Sequence, residues 1–325
     1  MQIYIKMKVI VRLWIALLLV PVLFACIGNR GVKSAGNAGN SENIQTNRKL
    51  VQPDIPPMLT DPVSITNYRV AHYWDNFDFN DTTLVHEPDI DEREVFSFLY
   101  GAQLTSKENA VAAVIAVLKK AEAEETGRMY AFFCGKLRDY LYEPNSMIRN
   151  EEFYIPIIEY IISSPKSDQA EKERSEFLLG MMKKNRVGEK ASDFEYTLQS
   201  GRSGYLHELK SKYTMLFLYD PDCHGCANSI EFVKTAPAIQ GALQRNDLKI
   251  LAFYPDSDRE RWAEHLTKVP AEWIIGYDRD GIVKDANMYD MRGTPAIYLL
   301  DENKRIILKG VVVEAIEEYF TRVVG

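Results

Sequence analysis

From Val187 to the end of the chain, short apolar runs alternate with segments of helical pattern, and this alternation constrains the fold most strongly. Strands are predicted near 194–199, 213–219, 248–254, 272–276, 296–300 and 305–309, and helices near 226–244, 258–268, 281–289 and 313–323. Strands that alternate with helices indicate a mixed or parallel sheet with helical crossovers. The C-terminal part of the chain is therefore predicted to be an α/β domain with helices flanking a central sheet.

A pair of cysteines lies at one predicted junction between a strand and a helix. Cys223-His-Gly-Cys226 follows the apolar run 213–219 and opens the next helix. Two cysteines separated by two residues can close a small disulfide ring and reopen it, and a helix N-terminus stabilises a thiolate on the first cysteine. The motif therefore predicts a redox-active dithiol.

The same motif is half of a structural zinc site, which is the first alternative. Such a site needs four ligands, commonly a second cysteine pair or two histidines. The chain has four cysteines but no second pair with this spacing, and His207 and His265 are isolated in the sequence. We therefore predict no metal and no cofactor. Cys134 lies in an apolar helical context and is predicted to be a buried, inert thiol.

The N-terminus has the pattern of a secretory signal. Lys6, Lys8 and Arg12 precede an apolar stretch that is too short to span a bilayer comfortably and ends in Leu-Phe-Ala-Cys26. This ending resembles a bacterial lipobox, which implies a signal peptide over residues 1–25 and a lipid on Cys26. The alternative is an uncleaved helical anchor. Either arrangement tethers the protein to a membrane outside the cytoplasm, and we predict that it faces the periplasm.

Two segments separate the signal from the α/β domain. Residues 26–60 are rich in Gly, Asn, Ser and Pro and are predicted to be a flexible tether. Residues 61–185 are predicted to form a mostly α-helical domain, with Ser106 as the N-cap of a helix that begins near residue 107. His72 and Trp74 belong to an aromatic and acidic cluster; it is predicted to pack at a helix entry, with substrate binding as the alternative.

Residues 187–325 resemble the membrane-anchored, TlpA-like disulfide reductases of the thioredoxin family. The matching pieces are the entry segment 187–194, the strand before the motif, the motif 223–226 and Gly293-Thr-Pro295. The resemblance implies a thioredoxin-like fold and a cis peptide bond before Pro295. It also implies that the Thr294 backbone lies beside Cys223 and holds a substrate peptide. Residues 61–185 look like the helical domain of unknown function that precedes such domains in some lipoproteins.

The chain departs from this family next to the motif. Asp220 and Asp222 precede Cys223 and oppose its thiolate, whereas His224, followed by Gly225 inside the motif, favours the thiolate when protonated. Phe217 lies where minimal thioredoxins bury a carboxylate, so proton transfer at Cys226 must use water or another group. Asp222, His224 and Gly225 are predicted to tune the motif.

The predicted function is thiol-disulfide exchange with protein disulfides in the cell envelope. Cys223 attacks the substrate and Cys226 resolves the mixed disulfide, while a membrane thiol carrier supplies electrons. The net charge of −7 excludes a nucleic-acid role. One alternative is an envelope binding module with an idle dithiol. A peroxiredoxin-like peroxidase ranks last, because residues 219–222 offer no threonine before Cys223.

Overall fold

The computed structural model describes residues 50–324. The predicted signal peptide, Cys26 and most of the predicted tether lie outside these residues. The contacts divide the chain into two compact units, with the division between Tyr140 and Leu141. Within residues 50–324, every helix is too short or too polar to cross a lipid bilayer.

The first unit is helical, as the sequence predicts. Its helices are α1 (Pro62–His72), α2 (Val95–Ala102), α3 (Lys107–Glu122) and α4 (Arg128–Leu141), with a 3-10 helix at Thr82–His86 and a π-helical turn at Asp89–Glu94. The predicted N-cap of α3 is confirmed, because the Ser106 hydroxyl accepts a hydrogen bond from the Asn109 backbone N–H at 3.2 Å.

The predicted aromatic cluster packs in the core of this unit. Trp74 is 2% exposed and makes edge-on contacts with Phe77, Phe98 and Phe133, at ring-centroid distances of 5.0, 5.9 and 5.3 Å. Such pairs add to the free energy gained by burying the rings. The packing interpretation is therefore confirmed for Trp74, whereas His72 is only partly buried and pairs with Asp75.

The second unit joins a helical pair to an α/β domain. The pair is α5 (Glu151–Ser163) and α6 (Gln169–Lys183). The guanidinium of Arg186 donates two hydrogen bonds to Glu152 on α5, and the ammonium of Lys309 donates to the backbone carbonyls of Met182 and Lys184 at the end of α6. The sequence predicts a domain boundary near residue 186, whereas the contacts place this pair with the sheet. The domain assignments themselves stay a prediction.

A mixed sheet forms the centre of the second unit. Its strands are β1 (Glu195–Leu198), β2 (Ser203–Tyr205), β3 (Tyr213–Leu218), β4 (Leu248–Tyr254), β5 (Ile274–Tyr277), β6 (Ala296–Leu300) and β7 (Ile306–Val311), in the order β2-β1-β5-β4-β3-β6-β7. β4 runs parallel to β3 and β5, and the other pairs are antiparallel. Every residue of β3 is buried, because helices or loops cover both faces of the sheet.

The helices of the α/β domain differ from the predicted ones in three places. They are α7 (His224–Thr235), α8 (Pro237–Gln244), α9 (Arg259–Glu264), α10 (Ile282–Asp285) and α11 (Val313–Val324). The single helix predicted over 226–244 is wrong, because Ala236 is extended and Pro237 begins a new helix. The helix predicted over 281–289 is shorter, and the one predicted over 258–268 ends at Glu264 and is followed by a 3-10 helix at Leu266–Lys268. The sequence analysis did not predict the strand β2.

Candidate active site

The cysteine motif lies where the buried strand β3 gives way to helix α7. Cys223 is the N-cap of α7, and its sulfur accepts a hydrogen bond from the backbone N–H of Cys226 at 3.1 Å. Both cysteines carry free thiols in the structure. The sulfur of Cys223 therefore lies at the positive end of the helix, where an anionic form of this sulfur is stabilised.

The two thiols differ in their exposure to solvent. Cys223 is half-buried, whereas Cys226 is 2% exposed and packs in the core cluster that contains Ile230 and Val233. Burial raises the pKa of the Cys226 thiol well above its usual value, and the hydrogen bond with Cys223 raises this pKa further. Cys226 is therefore held as a neutral thiol behind a more accessible Cys223.

The segment before β6 meets the motif. The Cys223 thiol donates a hydrogen bond to the carbonyl oxygen of Thr294 at 3.3 Å, and the Thr294–Pro295 peptide bond is cis. A Cβ atom at Gly225 would lie 3.5 Å from the same carbonyl and 3.6 Å from the Pro295 ring, so the backbone of the motif also lies against this segment. The structure thus brings together the predicted cysteines and the predicted substrate-binding residues.

Two carboxylates next to the motif are bound by an arginine that sequence reasoning did not identify. Arg261 on α9 donates from Nη2 to Asp220 at 2.8 Å and to Asp222 at 2.9 Å, and from Nε to Asp222 at 3.0 Å. These hydrogen bonds lower the pKa of Asp222. The acidic neighbours of Cys223 are therefore paired with a cation, which the sequence prediction did not include.

His265 lies beside the same carboxylate. Its Nε2 atom is 3.2 Å from Asp222, and its Nδ1 atom is 2.8 Å from the carbonyl oxygen of Arg261. His265 is isolated in the sequence, but the end of α9 places it next to Asp222. His224, which the sequence predicts to tune the thiols, is exposed in the first turn of α7.

The core beneath Cys226 is aromatic. Phe217 is fully buried against Trp273, with the ring centroids 5.8 Å apart. Tyr219 is 2% exposed, and among the described residues its hydroxyl has no hydrogen-bond partner. Burial raises the pKa of Tyr219, and the nearby indole of Trp262 offsets part of this rise. A neutral phenol therefore lies in the same buried cluster as Cys226.

The Gly-Thr-Pro segment is fixed from behind by the chain that leads into α5. A Cβ atom at Gly293 would lie 2.9 Å from Cβ of Pro144, so only a glycine fits against this proline without displacement. The guanidinium of Arg292 stacks on the ring of Tyr142, 3.4 Å from its centroid. Residues 142–144 therefore form one wall of the segment that precedes Thr294.

A buried carboxylate completes this wall. Arg292 donates to the two oxygens of Asp290 at 2.9 and 2.8 Å, and the Asp290 side chain is 6% exposed. Burial by itself would raise the pKa of Asp290, but the hydrogen bonds and charge of Arg292 outweigh it and lower this pKa. This pair of hydrogen bonds between Arg292 and Asp290 holds the backbone in place three residues before Pro295.

Comparison with known proteins supports the fold. A family described as a domain of unknown function, DUF5106, matches residues 29–185. A crystal structure of a thioredoxin-like protein from Bacteroides caccae is 36% identical, covers 85% of this chain and 99% of its own, and superposes with a TM-score of 0.79.

Two further solved structures match about two fifths of the chain. The C-terminal domain of an uncharacterized protein from Bacteroides fragilis is 42% identical over 42% of this chain and 98% of its own, with a TM-score of 0.42. The thioredoxin domain of a thiol-disulfide oxidoreductase from Bacteroides vulgatus is 18% identical over 42% of this chain and 98% of its own, with a TM-score of 0.36. None of the curated proteins matches this chain.

Proposed function

Since this chain belongs to the family of thioredoxin-like proteins, we propose that it is a thiol-disulfide oxidoreductase whose active centre is Cys223 and Cys226. The observation that carries the proposal is the position of the Cys223 sulfur. It accepts from the first turn of α7 and lies 3.3 Å from the Thr294 carbonyl, next to a peptide segment that a substrate chain can pair with.

The exchange proceeds in two displacements at sulfur. The Cys223 thiolate attacks one sulfur of a substrate disulfide, forms a mixed disulfide and expels the other substrate sulfur as a thiolate, which takes up a proton. Cys226 then loses its proton and attacks the Cys223 sulfur, which releases the second substrate thiolate. The substrate gains two electrons and two protons, and the protein is left with a Cys223–Cys226 disulfide.

Burial supports the proposed order of the two cysteines. Cys223 is accessible to a substrate sulfur, whereas Cys226 is 2% exposed and can reach only a sulfur that is already attached to Cys223. The backbone of Thr294 holds the substrate segment by strand-like hydrogen bonds. Asp222, His224 and Gly225 tune the reactivity of the dithiol.

The setting of this reaction follows from the N-terminal sequence. We place the protein in the cell envelope, anchored through a lipid on Cys26 and facing the periplasm, with the character of a TlpA-like reductase or isomerase that a membrane thiol carrier reduces. Replacing Cys26 by Ser is expected to move the protein from the membrane fraction to the soluble fraction. Unchanged membrane association of this variant would contradict the lipid anchor.

Cysteine variants test the active centre. Cys223→Ser is expected to abolish the reduction of insulin disulfides, and Cys226→Ser is expected to accumulate mixed disulfides that mass spectrometry identifies at Cys223. Cys134→Ser is the matched control, because Cys134 is a buried thiol in the helical unit, and it is expected to retain activity. If Cys223→Ser and Cys226→Ser both leave activity unchanged, the dithiol is not the active centre.

A further inference from the structure

The loop that leads into the motif carries two carboxylates, and Arg261 is bound to both. We propose that Arg261 is a positioning residue that neutralises Asp220 and Asp222 and thereby sets the stability of the Cys223 thiolate. This inference rests on the proposed function and deepens it. It assigns a role to a residue that lies 39 positions after Asp222 in the sequence, on a different helix.

The guanidinium is held in a defined orientation. Its Nε and Nη2 atoms donate to the carboxylates, at 2.8 to 3.0 Å, and its Nη1 atom donates to the hydroxyl of Tyr254 at 3.3 Å. Arg261 is half-buried. A planar fork that meets three acceptors is fixed in a way that a lysine ammonium cannot reproduce.

Backbone hydrogen bonds tie the loop that carries the two carboxylates to Cys223. The backbone N–H of Cys223 donates to the carbonyl oxygen of Asp220 at 3.1 Å, and the backbone N–H of Asp222 donates to the Asp220 carboxylate at 2.9 Å. The loop therefore folds around the Asp220 side chain. Asp222 directly precedes Cys223 and Asp220 lies three residues before it, so a charge on either carboxylate acts on the thiolate of the same loop.

His265 lies beside the same cluster. Its two ring nitrogens face a carbonyl oxygen of Arg261 and a carboxylate oxygen of Asp222, and both of these atoms are acceptors only. Lys268 adds a further positive charge that lowers the pKa of Asp222, after the larger contribution of Arg261.

The sign of the effect follows from the charges. Two carboxylates without a cation disfavour a neighbouring thiolate, so the loss of Arg261 lowers the thiolate fraction of Cys223 at neutral pH. A less stable thiolate destabilises the reduced dithiol relative to the disulfide, and the pair becomes more reducing. The cluster is partly exposed, so salt weakens the effect.

The test compares two arginines of the same helix. Arg261→Gln removes the cation, and Arg259→Gln is the matched control. Arg259 is exposed at the start of α9, and within the described part of the chain its side chain forms no hydrogen bond or ion pair. The rate of Cys223 alkylation by iodoacetamide against pH reports the thiolate fraction. Equilibration with glutathione reports the redox balance of the pair.

The expected result is specific to Arg261. The thiolate fraction at pH 7 falls about three- to tenfold in Arg261→Gln. The equilibrium constant with glutathione shifts in the reducing direction by up to about tenfold, which corresponds to about 30 mV. Arg259→Gln matches the wild type. Equal values for the two variants would overturn the inference, and high salt is expected to reduce the difference.

Rescue separates the charge of Arg261 from a merely structural role. Asp222→Asn removes one of the two carboxylates, so the double variant Arg261→Gln/Asp222→Asn is expected to recover much of the lost thiolate fraction. Asp222→Asn alone is expected to raise this fraction above the wild type, and it keeps the test valid if Arg261→Gln does not fold. A double variant no better than Arg261→Gln, or a single Asp222→Asn without effect, would overturn the inference.

The same experiment distinguishes this inference from the proposed function. If the wild type and Arg259→Gln form no reversible Cys223–Cys226 disulfide in glutathione, the proposed function fails and this inference fails with it. If both proteins form this disulfide reversibly and Arg261→Gln behaves as they do, only the role of Arg261 fails.

Discussion

The sulfur of Cys223 lies 3.3 Å from the carbonyl oxygen of Thr294, although 71 positions separate them in the sequence. The sheet explains this proximity. β3 and β6 are antiparallel neighbours, and Leu218 at the end of β3 faces Ala296 at the start of β6. The residues after β3 and the residues before β6 must therefore meet at one edge of the sheet. The contact is a hydrogen bond only while Cys223 is a thiol, because a thiolate has no proton to donate.

The wall behind the Gly-Thr-Pro segment leads to a prediction on Gly293. Gly293→Ala places a Cβ atom 2.9 Å from Cβ of Pro144. We expect it to lower the free energy of unfolding by about 1–3 kcal/mol and to slow insulin reduction, because the displaced backbone carries Thr294 away from Cys223. Urea unfolding and the insulin assay measure the two effects.

Gly180 provides the matched control for this substitution. It lies inside α6, and a Cβ atom there has no neighbour within 4 Å, so Gly180→Ala is expected to raise stability by about 0.5–1 kcal/mol. Wild-type stability and activity of Gly293→Ala would show that Pro144 does not confine this segment.

The hydroxyl of Tyr219 gives a second prediction. It is buried, and although the indole of Trp262 is near it, no residue among 50–324 forms a hydrogen bond with it, whereas the buried Tyr289 hydroxyl donates to the carbonyl oxygen of Ser192. Removing an unpartnered group relieves its desolvation cost, whereas removing a partnered one costs about 1 kcal/mol. We therefore expect Tyr219→Phe to be as stable as the wild type or more stable, and Tyr289→Phe to be less stable. Equal destabilisation by both variants in urea unfolding would contradict this account.

The raised pKa of Cys226 predicts how the stability of the reduced protein depends on pH. Below about pH 8.5, the thiol is protonated in both the folded and the unfolded state and contributes nothing. Above that pH the unfolded chain releases the proton while the folded protein keeps it, because burial raises the pKa of Cys226 in the folded state. Unfolding therefore becomes more favourable as the pH rises, by up to about 1.4 kcal/mol per pH unit.

Urea unfolding in the presence of a reductant, between pH 7.5 and 9.5, measures this dependence. Cys226→Ala lacks the thiol and is expected to show a smaller loss of stability over the same interval. Parallel pH profiles for the wild type and Cys226→Ala would contradict a raised pKa at Cys226.

The elements of the α/β domain could be predicted where the local pattern is strong. The strands over 213–218, 248–254 and 296–300 are long apolar runs between turn-forming residues, and each was predicted within one residue of its observed end. The motif could be predicted from the spacing of its two cysteines, and the Gly-Thr-Pro segment from its resemblance to the thioredoxin family. The break at Pro237 was missed, because the apolar pattern continues across it on both sides.

The residues around the dithiol could not be found in the same way. Arg261 is one of several charged residues in a polar stretch, and only the crossover from β4 to β5 carries it to Asp220 and Asp222. Tyr142 and Pro144 belong to a segment that the sequence assigned to the helical domain. Their contacts with residues 292–293 depend on the packing of the second unit, and no local pattern encodes that packing.

The most direct test of the central claim is an equilibrium titration of the pair against glutathione, with mass spectrometry of the peptide that contains Cys223 and Cys226. The account predicts a reversible, two-electron interconversion between two free thiols and one Cys223–Cys226 disulfide. A reductase requires a midpoint closer to about −270 mV than to about −120 mV. If no intramolecular disulfide forms at any ratio of reduced to oxidised glutathione, these two cysteines are not a redox-active dithiol.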